Sequence, residues 1–369
     1  MTPFWRKRDS LVEALLASAA ERPEDWTFSE YLVRHRSGVE VWLSGGAESL
    51  GIYPRGLGRS PGYTPPWRDR RRLHRALTRD GHDLAIKIQY PGVVESIDSD
   101  VDNVAALLRV SGLLPKALDL APLLRDAKRQ LHDEADYLRE AGYLSRYGEL
   151  LADAPDYALP RLHAELTTAR VLAMTRVGGV PIETLVDAPQ AERERVMTLL
   201  FALLLRELFE FRLVQTDPNF ANYRFEPETG RLILLDFGAT RPYAEPVVEA
   251  YRRLMAGSVR GDRVTMGEAA QAIGYFQDNI HAHQRDAVID LFEIACEPVR
   301  HPGAYDFGTS DLPLRLRDAG LKLSMERDFW HTPPADALFL HRKLGGLYLL
   351  AARLRARVDV AALAAPWLG

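Results

Sequence analysis

The sequence predicts an α+β protein of two lobes, a small sheet lobe followed by a mainly helical large lobe. Three observations predict it. Alternating apolar segments flank Asp80-Gly81, a further strand pattern ends at Gly178-Gly179, and helical periodicity dominates beyond Tyr243. With 369 residues, 47% hydrophobic and 27% charged, the chain is long enough for two cores.

Composition excludes several classes. A formal charge of −4 argues against a general nucleic-acid binder, which is usually basic. The single cysteine, Cys296, rules out a disulfide framework and a cysteine-based zinc site, and reads as a small buried apolar group. Val196 to Leu205 is half the length of a membrane span. Met1 to Ala20 places Arg6, Lys7 and Arg8 before an aliphatic patch, but Glu13 and the acids from Glu21 onward make it a poor signal peptide. A cytoplasmic location is the expectation.

Taken in order, residues 1–43 carry an amphipathic helix pattern (Leu11, Leu15, Leu16) and a short strand. Residues 45–72 are rich in Gly, Pro and Arg, a texture that buries little and reads as a loose loop or linker. Leu73 to Thr78 and Leu84 to Tyr90 form a hairpin around Asp80-Gly81. Asp119 to Arg139 spaces Leu120, Leu124, Ala127, Leu131, Ala135 and Leu138 as one buried helix face. Val171 to Arg176 is a strand running into the glycine hinge. Glu192 to Leu213 is apolar on most of its surface and reads as a core helix. The later breaks fall at 298–313 and at Pro333-Pro334. The resulting divisions are an atypical segment 1–72, a small lobe 73–180 and a large lobe 181–369.

The chemistry lies in the second half. Asp217-Pro218-Asn219-Phe220-Ala221-Asn222 precedes Leu234-Leu235-Asp236-Phe237-Gly238. An Asp, an Asn five residues later and an Asp-Phe-Gly after aliphatics have the spacing of a phosphotransfer site. The first Asp orients a hydroxyl nucleophile, and the Asn and second Asp ligate Mg²⁺. A hard cation wants oxygen ligands, which these side chains supply. A second copy, Asp306-Phe307-Gly308, lacks the strand and the Asp-x₄-Asn, and reads as a loop. Upstream, Lys87 stands in the apolar run Leu84-Ala85-Ile86-Lys87, where a buried ammonium needs anions. Periodicity puts Glu134 inside the apolar stripe as its partner, and Asp136 and Glu140 on the opposite face. Met174 and Arg176, on the strand before the hinge, are further candidates for nucleotide contact. Arg241 could meet a phosphate or an acid of the protein itself. His281, His283, His331 and His341 lack zinc-helix spacing. Neither Gly-x-Ser-x-Gly nor a P-loop occurs, and Gly45-Gly46 and Gly56-x-Gly58 are too loose to cradle phosphate.

With these residues in place, the chain resembles the UbiB/ADCK family of atypical, protein-kinase-like proteins that support coenzyme Q biosynthesis. The segments that carry the resemblance are 85–93, 134–141, 206–211, Gln215-Thr216-Asp217-Pro218-Asn219, 234–241 and His341-Arg342-Lys343-Leu344-Gly345-Gly346. The resemblance implies a two-lobed protein-kinase-like fold, with ATP or ADP and Mg²⁺ as cofactors and ATPase or kinase-like activity. It also implies quinone-precursor lipids, a membrane surface or ubiquinone-biosynthesis proteins as partners. By the same resemblance Glu140 would pair with Lys87, and Glu134 and Asp136 would form the family's Glu-x-Asp pair. Asp217 would be catalytic, and Asn222 and Asp236 would be metal ligands. The partner of Lys87 therefore stays open between Glu134 and Glu140.

The family carries a Lys-x-Gly-Gln segment and an Ala-rich loop ahead of the lysine strand, and neither occurs here. The resemblance instead resumes abruptly near His74, as a shifted reading frame, an altered gene start or a lineage-specific loop would produce. Two alternatives stand beside the nucleotide-using enzyme. One is a catalytically inactive pseudokinase scaffold. The other is an aminoglycoside-type phosphotransferase, which Ile88-Gln89-Tyr90-Pro91-Gly92 and Gln215-Thr216-Asp217-Pro218 argue against.

Overall fold

The computed structural model describes residues 31–34, 40–44, 71–78, 81–89, 93–111, 121–276, 280–325 and 333–368. The expected helix near Leu11, the Gly/Pro/Arg-rich stretch as far as Arg70, its glycine pairs, Asp80 and His331 lie outside the described residues. The chain divides into two compact units. One comprises Met1–Gly179 with Ile233–Ala239, and the other Val180–Leu232 with Thr240–Gly369.

The first unit is built on a five-stranded sheet. Strands β1 (Tyr31–Arg34), β2 (Glu40–Ser44), β3 (Arg71–Leu77) and β4 (Asp83–Gln89) follow one another, and β5 (Val171–Thr175) closes the order β1-β2-β3-β4-β5. Every neighbouring pair is antiparallel. The β3–β4 hairpin pairs Leu77 with Asp83 and Leu73 with Lys87. Gly81 turns it at φ 88°, a value that glycine adopts without a Cβ clash. From Leu84 to Gln89 both faces of β4 are buried, so its lysine cannot point to water as an ordinary strand lysine would.

Helices α1 (Val93–Ser111), α2 (Ala121–Ala135) and α3 (Tyr137–Leu150) complete this unit with the 233–239 segment. The single helix expected through Arg139 is two helices. Asp136 adopts extended backbone, φ −89° and ψ 92°, and its Oδ1 accepts from Arg139 N as the N-cap of α3. The restart changes the phase. In α3 the buried face is Tyr137, Glu140, Ala141, Leu144 and Tyr147, whereas Leu131 and Leu138, expected in the core, are 36% and 54% exposed.

In the second unit, β6 (Val180–Pro181) leads to α4 (Gln190–Arg206). The expected helix to Leu213 stops short. A π-helical turn occupies Glu207–Phe211, Arg212 takes left-handed backbone at φ 51°, and β7 (Leu213–Gln215) begins at once. Strand β8 (Tyr223–Glu226) pairs antiparallel with β6, and β9 (Thr240–Pro242) with β7, setting Thr240 opposite Gln215. Helices α5 (Glu245–Arg260), α6 (Arg263–Ile273), α7 (Ala282–Ala295), α8 (Leu312–Met325), α9 (Ala335–Arg353) and α10 (Val360–Leu368) follow. The second Asp-Phe-Gly is not a plain loop. Tyr305–Asp306 pairs with Arg357–Val358, and Phe307 is buried beside Phe201, Tyr305 and Tyr348. Cys296 is buried, and burial pushes its thiol up to about 11.

Candidate functional site

In the first unit, β4 delivers Lys87 and α3 delivers Glu140. The Lys87 Nζ lies 2.5 Å from Glu140 Oε1 and 3.0 Å from Asp236 Oδ2. Glu140 is 1% exposed and Lys87 9%, so the three charges meet in a nearly dry setting where pairing is obligatory. This geometry answers the question that the sequence left open. Glu140 faces Lys87, while Glu134 Oε1 accepts from Gln130 Nε2 and Asp136 caps its helix. Periodicity carried through Asp136 had put Glu140 on the wrong face.

Asp236 is held locally as well. Its Oδ1 accepts from Gly238 N at 3.0 Å, and Arg139 Nη1 donates to Gly238 O at 3.2 Å. Phe237 packs against Tyr147 with ring centroids 4.7 Å apart. These contacts tie the Asp-Phe-Gly turn to α3 and the sheet, although its position in sequence suggested the large lobe. A Cβ on Gly238 would stand 3.3 Å from Asp236 Oδ1 and 3.4 Å from Glu140 Oε2, so the glycine keeps the two carboxylates' surroundings open.

In the second unit, Asn222 Nδ2 donates to Asp217 Oδ2 at 2.7 Å, and Asp217 Oδ1 accepts from Asn219 N at 3.2 Å. Asn219 in turn caps the short turn Phe220–Asn222 by accepting from Ala221 N. The local bonds fix the Asp217 carboxylate and turn the Asn222 amide so that its oxygen, a hard donor, is not used against Asp217. The Asn222 amide oxygen, taken by itself, is an oxygen donor of the kind a hard cation prefers.

The remaining candidates are engaged differently. Met174 is buried in β5 opposite Ala85. Arg176 forms an ion pair with Asp83, Nη1 to Oδ2 at 3.3 Å. Arg241 is buried, pairs with Asp336 at 3.2 Å and stacks 3.9 Å over Phe339, so it serves an acid of the protein itself. His341 is partly buried in a cluster with Tyr251, Tyr275 and Phe292, and burial pushes its pKa down to about 4.

Sequence reasoning missed a second buried ion pair. Lys343 Nζ lies 2.7 Å from Glu207 Oε2, with Lys343 2% and Glu207 0% exposed. Burial alone would lower the Lys343 pKa, but Glu207 and the Tyr223 phenol raise it above the usual lysine range. The signal present was that both residues lie in segments that carry the family resemblance, 206–211 and 341–346.

Residues 72–270 match the ABC1 atypical kinase-like domain. The chain is 37% identical over 291 residues to the mitochondrial atypical kinase coq-8 of Caenorhabditis elegans, covering 78% of this chain and 38% of that protein. It is 37% identical over 294 residues to the mitochondrial atypical kinase COQ8 of Saccharomyces cerevisiae, covering 79% and 58%. The chain therefore spans about half the length, or less, of these relatives. A solved Mycobacterium tuberculosis protein in complex with erythromycin superposes with a TM-score of 0.61 at 20% identity, over 80% of this chain and 74% of the other, a likeness of fold.

Proposed function

Because the chain belongs to the ABC1 atypical kinase-like family, we propose that it binds ATP or ADP with Mg²⁺ and carries out ATP hydrolysis or kinase-like phosphoryl transfer in support of ubiquinone biosynthesis. The observation that carries this reading is the Lys87–Glu140–Asp236 cluster. A lysine held by a helix carboxylate and facing the Asp of Asp-Phe-Gly is what phosphate binding beside a metal ion requires. Lys87 meets the nucleotide phosphates, and Glu140 keeps its ammonium in place. Asp236 and Asn222 are the residues that would hold the metal, which when bound would supply positive charge to offset that of the phosphates. Asp217, fixed by Asn222, orients the hydroxyl or water that attacks. Lipid quinone precursors or the proteins that handle them are the partners this reading gives to the chain. Among the described residues no helix is long and apolar enough to cross a membrane.

A thermal-shift titration with ATP, ADP and Mg²⁺, joined to a phosphate-release assay, tests the proposal. Mg²⁺-dependent stabilisation with turnover supports it. Stabilisation without turnover makes the chain a pseudokinase scaffold. No stabilisation by either nucleotide overturns both.

A further inference from the structure

The Glu207–Lys343 pair stands directly behind the start of the Asp217 loop. Glu207 Oε1 accepts from Gln215 N at 3.3 Å, while Glu207 Oε2 takes the Lys343 ammonium at 2.7 Å. Lys343 Nζ also reaches Gln215 Oε1 at 3.4 Å, the same oxygen that accepts from Tyr223 OH at 3.4 Å. Gln215 lies two residues before Asp217 and Tyr223 one residue after Asn222, so the network grips both ends of the loop.

The helix that supplies Lys343 touches the loop a second time. Gly346 follows by three residues, on the same face of α9 and about 4.5 Å along its axis. A Cβ there would fall 2.8 Å from Pro218 Cβ and 3.5 Å from Pro218 Cα and O. One helix face therefore fixes the residue two before Asp217 through charge and the residue after it through close backbone approach.

Stability alone gives little reason for this arrangement. A fully buried ion pair is often no better than apolar residues of the same volume, because desolvation offsets the attraction. What the pair provides is direction, since a carboxylate bonded on both oxygens cannot rotate without losing a bond.

We propose that Lys343 is a positioning residue for Asp217, setting the register of the 215–222 loop through Glu207, with Gly346 as the second fixed point. The inference rests on the phosphotransfer reading of Asp217 and deepens it.

The decisive variant is Glu207→Gln with Lys343→Met, which removes both charges and leaves neither buried alone. Amide hydrogen exchange across 213–224, which needs no catalysis, is read beside nucleotide turnover. The expected result is faster exchange confined to 215–222, with kcat down on the order of 10²-fold and KM for ATP unchanged. Exchange and kcat both equal to the parent's would overturn the proposal. If that double variant fails to fold, Gly346→Ala is measured instead. It presses on Pro218 without disturbing the ion pair, and the same two outcomes decide. A parent protein with no turnover at all would remove the phosphotransfer reading, while the exchange measurement would still show whether Lys343 positions the loop.

Discussion

Lys87 and Glu140, 53 positions apart in sequence, meet at 2.5 Å with the glutamate almost wholly buried. Shortening the lysine would remove the ammonium that meets both Glu140 and Asp236. Lys87→Ala is expected to destabilise the first unit by about 3 kcal/mol, measured by denaturant unfolding. A double-mutant cycle should return a large coupling between Lys87 and Glu140 and none between Lys87 and Glu134. Coupling to Glu134 of equal size would contradict the pairing.

The two aspartates should separate binding from turnover. Asp236→Asn removes a ligand charge and is expected to abolish the Mg²⁺ dependence of nucleotide binding. Asp217→Asn should leave that binding intact and lower turnover by on the order of 10²-fold or more. Calorimetry with and without Mg²⁺, beside phosphate release, distinguishes them. Parent-like Mg²⁺-nucleotide binding by Asp236→Asn would show that the metal role is misplaced.

Asp136 belongs to the architecture beneath Lys87. Replacing this N-cap with alanine removes the side-chain oxygen that accepts from Arg139 N and should cost about 1 kcal/mol. Because Glu140 sits one turn further along α3, Asp136→Ala should also loosen nucleotide binding, whereas Asp136→Asn, which still caps, should not. Equal effects of the two would mean that the charge of Asp136 matters rather than its cap.

His341 gives a pH dependence. Its pKa in the folded protein, about 4, lies below the unfolded value, so the unfolded chain takes up the proton first. Stability from this residue is complete above pH 6.5 and is lost as the pH falls from about 6.5 towards about 4, on the order of 2 kcal/mol by pH 5. The groups facing the ring are the Tyr251 and Tyr275 hydroxyls and Phe292. Unfolding measured at pH 7.5 and pH 5 should show this loss in the parent and a smaller one in His341→Phe. An unchanged difference would assign the slope to other groups.

Much of this arrangement was legible in the sequence because it is local. Lys87 announces itself as a charge in an aliphatic strand, and Asp217–Asn222 is a five-residue spacing closed by its own hydrogen bond. The hairpin was legible from Asp80-Gly81. What could not be read was phase. Helical periodicity assumes a continuous helix, and Asp136 resets it, which moves Glu140 inward and Leu138 outward. Likewise the π turn at Glu207–Phe211 ends α4 before the apolar pattern ends, and turns Glu207 towards a lysine 136 positions away. A pair so distant has no local signature beyond an unexplained charge at each end.

The chain carries its own control experiment in its second Asp-Phe-Gly. Asp306 Oδ1 accepts from Gly308 N at 2.9 Å, just as Asp236 Oδ1 accepts from Gly238 N at 3.0 Å. The tripeptide is thus a ready-made knot of backbone that a chain can tie wherever an aromatic needs burying. The two copies differ in their surroundings: Asp236 meets Lys87 and the buried Glu140, whereas Asp306 stands opposite Arg357 in a short strand pair. Iron substituted for magnesium, with peroxide added to generate radicals at the metal, should therefore cut the backbone beside Asp236 and spare Asp306. One gel lane would then separate a shape from a chemistry that the three letters alone confuse.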